Sequence, residues 1–245
     1  MDPVSQLKAS ILAQNLPHPS TNFLSSLINA RSPPPPMPSL VATAKARLLA
    51  ADLTSSAIIN TSAVQSFPPA AESTDSREKR IPRPVHVQVL DIENLTLSRW
   101  EQVEEMEAVA RGETTRGREV IRVTAEDEDE NDALQTQRLG GNRITAGPKP
   151  ASKNATHRLV LQDCKGTKIF AMELRRHDGI GVGKTQIGEK ILLKTGTVIA
   201  RGMVLLEPDK CLLLGGKIEA WQKSWVDGRL ARLKEEIQQS ERQGL

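Results

Sequence analysis

The chain has 245 residues, 38% hydrophobic content and a formal net charge of +3. That allows one or two domains and excludes a protein covered in phosphate-binding charge. No stretch approaches the ~18 apolar residues of a membrane span. The start also lacks the charged-then-apolar order of a secretory signal, so a soluble intracellular protein is expected.

The first sixty residues read as short helices. Val4, Leu7, Ile11 and Leu12 recur at helical spacing, and Phe23, Leu24, Leu27 and Ile28 do the same behind a Ser20-Thr21-Asn22 start. Pro33 to Pro36 forbids helix and acts as a stiff connector, with proline recognition as the alternative reading. A third helix is expected from Ser39, carrying Leu40, Ala44, Leu48 and Ala51. Residues 1–60 therefore form a small three-helix module, and residues 61–84, rich in Ser, Pro and charge, a linker.

Val85, Val87 and Val89 alternate with His86 and Gln88, giving a half-buried strand from Val85 to Ile92. Ser98-Arg99-Trp100-Glu101 has the order of a capping box, and Val103, Met106 and Ala110 follow at helical spacing. The next convincing strand begins at His157. Uninterrupted structureless intervals of this length are uncommon inside a compact domain and are functional or disordered when they occur. The acid collects there: residues 85–157 carry 9 basic and 14 acidic side chains, including Glu126-Asp127-Glu128-Asp129-Glu130, whereas residues 158–216 carry 10 and 6. Taken alone, such a run reads as a solvated, disordered block.

Leu159 and Leu161 alternate with polar residues, Asp163-Cys164-Lys165-Gly166 makes a turn, and the chain returns with Phe170, Met172 and Leu174 on the core face. Further strands are expected at 190–194, 198–207 and 211–214. A last helix carries Ile218, Trp221, Trp225, Leu230, Leu233 and Ile237 near one face. The fold class expected is α+β. It consists of the three-helix module, a five-stranded OB-type barrel over 85–216 with a long insertion (98–156) after its first strand, and a C-terminal helix over 217–245. An SH3-like barrel is the alternative.

Asp178 to Thr185 imitates a phosphate loop, but Asp178 stands where the pattern needs glycine and a strand, not a helix, follows. Its glycines read as a flexible connection. His18, His86, His157 and His177 are scattered, Cys164 and Cys211 have no ligand spacing, and no nucleophile signature occurs. No catalysis, cofactor or metal is expected, and the cysteines are expected to be reduced thiols. Stacking platforms supply ~1–3 kcal/mol per base to single-strand binding. With three Phe, three Trp and no Tyr, DNA contact is expected to be weak or indirect. Arg175, Arg176, Lys184, Lys190 and Lys210 are the basic side chains available for it or for a partner.

From Val85 to Glu236 the chain resembles the RecQ-mediated genome instability protein family, the Rmi subunits. The carriers are Val87-Gln88-Val89 with Asp91 to Leu95, Leu159 to Asp163, Ile169 to Leu174, Gly188 to Leu192 and, most specifically, Arg201 to Pro208 running into Leu214-Gly215-Gly216. Arg47 to Leu53 is similar to the helical module that precedes the barrel in that family. The resemblance implies a short, single-barrel, nuclear, non-catalytic partner of a type IA topoisomerase (topoisomerase III) and a RecQ helicase. The complex dissolves double Holliday junctions in DNA recombination, replication and repair. It further implies that the barrel docks on the topoisomerase and directs its first inter-strand insertion towards the enzyme's gate. On this chain Glu126, Asp127, Glu128, Asp129 and Glu130 are then the candidate gate contacts, with the Trp100 helix as their rigid base. The competing reading is a stand-alone OB-fold protein that binds single-stranded DNA or junctions.

Overall fold

The computed structural model describes residues 2–111, 114–115, 118–119 and 155–243. Asp2 accepts from the backbone N–H of Ser5 and opens α1 (Pro3–Leu12); Ser20 accepts from Phe23 and opens α2 (Thr21–Ile28). The third helix, α3 (Met37–Ala50), begins two residues before Ser39, because Pro38 falls in a first turn where a missing N–H loses no bond. Leu7, Ile11, Phe23, Leu24, Leu27, Leu40, Ala44 and Leu48 close one core, into which Cys164 of the barrel also reaches.

Eight strands form a single curled sheet. They are β1 (Lys79–Arg80), β2 (Val85–Asn94), β5 (His157–Asp163), β6 (Lys168–Glu173), β7 (Lys190–Leu193), β8 (Val198–Ala200), β9 (Met203–Leu206) and β10 (Cys211–Gly215), in the order β1-β8-β9-β6-β5-β2-β7-β10. Two further short strands, β3 (Thr114–Thr115) and β4 (Arg118–Glu119), pair with each other. Two more helices complete the chain, α4 (Arg99–Ala110) after β2 and α5 (Glu219–Gln243) at the end. The α+β architecture stands as expected, with more strands than the expected five. The stretch 198–207, read as one strand, is a hairpin: Ala200 pairs with Met203 across Arg201 (φ 46°) and Gly202 (φ 76°). Two successive left-handed residues are the signature of a type I′ turn. Gly202 is further constrained by the Glu72 carbonyl oxygen, which would lie 2.5 Å from any Cβ.

Three other expectations need correction. Residues 61–84 do not run free, since Phe67, Ala71 and Ile81 are buried in the barrel core and Lys79–Arg80 pairs with β8. Single apolar anchors among Ser, Pro and charge leave no period to detect. On β6 the inward residues are Ile169, Ala171 and Glu173, while Phe170 is 46% exposed. Both faces of that strand are apolar, so alternation marks a strand without fixing its phase; pairing with the buried Leu159 and Leu161 decides it. The 178–185 stretch is not a flexible connection either. Ile180 and Thr185 are buried, and the Gly181 N–H donates to the Thr185 hydroxyl at 3.1 Å.

The two cores meet along a polar seam. The Gln88 carboxamide oxygen accepts from the Leu53 N–H at 3.0 Å, and its nitrogen donates to Asp52 at 2.7 Å and to Gln162 at 3.0 Å. At Gly216 (φ +88°) the Leu49 carbonyl approaches so closely that a Cβ would lie 2.5 Å from it. These contacts join the helical module to one part of the sheet's outward face and leave Val160, Phe170 and Met172 on that face outside the seam.

Candidate protein interface around the insertion

The insertion leaves and re-enters the barrel at adjacent points. Asn94, at the end of β2, pairs with His157, at the start of β5, and the Leu95 N–H donates to the Thr156 carbonyl at 2.9 Å. Both feet are held by hydrogen bonds. At the first, the capping box is complete: the Glu101 N–H donates to Ser98 Oγ at 3.1 Å, and the Ser98 N–H donates to the Glu101 carboxylate at 2.7 Å. Helix α4 then lies against α5. Val103 and Leu233 are buried, Lys234 pairs with Glu107 at 2.6 Å, Arg99 pairs with Glu236, and Arg229 donates to Gln102 at 3.0 Å. At the second foot the buried Glu173 carboxylate gathers the His157 N–H at 3.0 Å, the His157 Nδ1 at 2.7 Å, Arg176 at 2.9 Å and the His177 N–H at 3.0 Å. Burial alone pushes this carboxyl up. The bonds from His157 and His177 and the charge of Arg176 outweigh burial and hold it below its ordinary value.

Apolar side chains are exposed around this frame. Trp100 is 63% exposed in the first turn of α4, with Leu95 and Leu97 just before it and Val226 on α5. Beside the feet, the outward side of β5, β6 and β9 carries two rows in register, Val160–Phe170–Met203 and Arg158–Met172–Leu205, extended by the exposed Leu174. The Arg158 guanidinium covers the Phe170 ring at 5.1 Å and bonds Glu93 at 2.6 Å. Glu93 also meets Arg99 at the first foot, at 3.8 Å. The face formed by the second and third barrel strands, bordered by the loop between the first and second, is where barrels of this type take ligands. Here it offers one aromatic ring already covered by arginine, together with Val, Met and Leu. That composition suits a protein partner better than a stack of bases.

The residues singled out from sequence fare unevenly. Trp100 is exposed in the first turn of the capped helix α4. Glu126, Asp127, Glu128, Asp129 and Glu130 lie outside the described residues. Arg175 is exposed but pairs with Glu207 at 3.3 Å and Asp209 at 2.6 Å. Lys184 donates to the Asp178 carbonyl at 3.0 Å, and Lys210 stands half-exposed before β10, so the basic set forms no common patch. Two of its members are not surface contacts at all. Arg176 is held in the Glu173 cluster, and Lys190 is fully buried, donating to the Gly188 carbonyl at 2.6 Å. A lysine at the head of a strand reads as a surface cation, whereas β7 is buried on both faces. The outward apolar rows were missed for the matching reason. Their signal was the two-sided hydrophobicity of 169–172 and 203–206. Among the described residues, no group of three His, Cys, Asp or Glu side chains converges as metal ligands, and no helix is long and apolar enough to cross a membrane.

Comparison with known proteins gives a consistent answer. Residues 67–229 match the protein family described as RMI1, N-terminal OB-fold domain, and residues 11–56 match RMI1, N-terminal helical domain. The RecQ-mediated genome instability protein 1 of Schizosaccharomyces pombe is 26% identical over 164 residues, which are 64% of this chain and 66% of that protein. The protein of the same name from Saccharomyces cerevisiae is 25% identical over 159 residues, 59% of this chain and 64% of its own length. The match spans just under two thirds of each relative.

Proposed function

Because this chain belongs to the RMI1 family, we propose that it serves genome stability as a non-catalytic subunit of a RecQ helicase–type IA topoisomerase assembly. In this reading it acts in the nucleus, binds the topoisomerase and stimulates decatenation during double Holliday junction dissolution. The observation that carries the reading is the apolar face of Val160, Phe170, Met172, Met203 and Leu205 beside two clamped feet of a long acidic insertion. The face docks and the insertion acts. Gate residues that otherwise hold DNA phosphate pair with Glu126 to Glu130 when the gate is open. A partner shifts a gate only by its differential affinity for the open form. The contacts between α4 and α5 fix where the chain leaves the barrel at the first foot.

The two roles separate experimentally. Replacing Phe170 and Met203 by Glu is expected to abolish co-purification with topoisomerase III. Deleting 112–149 is expected to leave binding near normal and remove stimulation of decatenation. Normal binding by the double-Glu variant, or a deletion that loses binding while stimulation per complex persists, refutes this division. The stand-alone DNA-binding reading predicts instead sub-micromolar retention of single strands or four-way junctions at physiological salt. The single arginine-covered ring on the ligand face does not support it.

A further inference from the structure

The outward side of the sheet continues away from the insertion's feet, where Gln88, Gln162 and Lys168 stand in register. There α5 on one side and residues 52–54 of the helical module on the other wall off a groove of about 600 Å³. Leu90, Ile187, Trp221 and Trp225 supply its apolar lining, and Lys168 and Arg232 its cations. The nearby carboxylates are already engaged. Asp52 accepts from Gln88 at 2.7 Å and from the Thr54 N–H at 2.9 Å, and Asp91 accepts from the Trp225 indole N–H at 2.6 Å. The cations are less occupied. Arg232 comes no closer than 3.9 Å to Asp91, and Lys168 has no ion-pair or hydrogen-bond partner among the described residues.

One further residue marks the groove as kept open. Gly228 lines it from within the 25-residue helix α5, and a Cβ there would meet nothing within 4 Å. Glycine in a helix interior is unfavourable relative to alanine. No close approach within the chain requires it here, so the space is free for a bound side chain.

We propose that this groove takes a short acidic peptide segment of a protein partner. An apolar side chain of the segment lies against Trp221 and Trp225 beside Gly228, and its carboxylates meet Lys168 and Arg232 in charge-assisted bonds. A nucleic acid fits less well. The Trp225 ring already lies under Arg229 at 4.9 Å and Arg232 at 5.9 Å, leaving no clear surface for a base to stack on. The groove shares no lining residue with the apolar face of Val160, Phe170, Met172, Met203 and Leu205 or with the insertion, so this proposal does not depend on the topoisomerase reading.

The test is selection of a random peptide display library of about twelve residues on the full chain, counter-selected on Gly228→Phe, which fills the groove. The enriched peptide is then synthesised with a fluorescein label and titrated by anisotropy. Enriched sequences are expected to join a Phe, Leu or Ile to several Asp or Glu. Binding is expected to weaken about tenfold or more in both Gly228→Phe and Lys168→Glu, and to be unchanged in Trp100→Ala. Circular dichroism melts establish that the variants remain folded, and Lys168→Glu, at an exposed position, keeps the test valid if Gly228→Phe unfolds. Failure to enrich any peptide, enrichment of basic sequences, binding indifferent to both substitutions, or displacement of the peptide by oligo(dT) overturns the proposal.

Discussion

At the scale of single residues, the buried charges carry the clearest predictions. Lys190 has no exposed surface, and burial lowers its ammonium from 10.5 to about 8, with Asp52 opposing the shift. At about 1.4 kcal/mol per pKa unit, the charged form costs the fold on the order of 3 kcal/mol. Between about 8 and 10.5 the unfolded chain holds the proton that the native chain has released, so stability rises with pH across that window. Urea titrations are expected to show the rise in the native sequence and to lose it in Lys190→Met, which at neutral pH is no less stable than the native protein. Glu173 gives the same sign of pH dependence in an acidic window, though here it is the charged form that the fold favours. Its carboxyl is held below the ordinary 4.5, so its contribution is present above that value and fades as pH falls through the native one. Glu173→Gln leaves Arg176 without its counter-charge and disturbs the hydrogen bonds to His157 and His177, and is expected to cost roughly 3–5 kcal/mol at neutral pH, measured by chemical denaturation.

At the scale of elements, the insertion's first foot depends on a helix start that sequence could identify. Ser98→Ala removes the acceptor for the Glu101 N–H and is expected to cost about 1 kcal/mol. Gly228→Ala, in a helix position with open space, is expected to gain about the same amount. Thermal melts of the two variants should therefore move in opposite directions. Only the first caps the helix that opens the insertion, so only Ser98→Ala is expected to reduce decatenation per bound complex. The capping box was legible because its four residues are contiguous. The β8–β9 hairpin was not, because Arg201-Gly202 lacks the Asn-Gly or Asp-Gly of the commonest I′ turns, and its left-handed residues show only in the backbone.

At the scale of the molecule, the seam couples two cores that the sequence separates. Gln88 reaches across to Asp52 and Leu53, and Gly216 admits the Leu49 carbonyl. Unfolding is therefore expected as a single transition when followed both by helical circular dichroism and by tryptophan fluorescence from α5 and α4. Gly216→Val forces the Leu49 segment away and is expected to split that transition, the helical module melting first. A split already present in the native chain would show that the seam does not couple the modules. Residues 61–84 belong to the same lesson. Phe67 and Ile81 anchor a supposed linker, yet nothing in their neighbours' composition reveals it.

Local chemistry was enough to determine the helices, the alternating strands, the capping box and the place where acid interrupts the barrel, because each rests on residues a few positions apart. The phase of β6, the burial of Lys190 and Arg176, and the apolar rows beside the insertion rest on pairing between residues distant in the chain. A period of two says that a strand exists but not which side faces the core. That choice was made only when β5 and β9 closed on either side of β6, turning Ile169 and Ala171 inward and Phe170 outward.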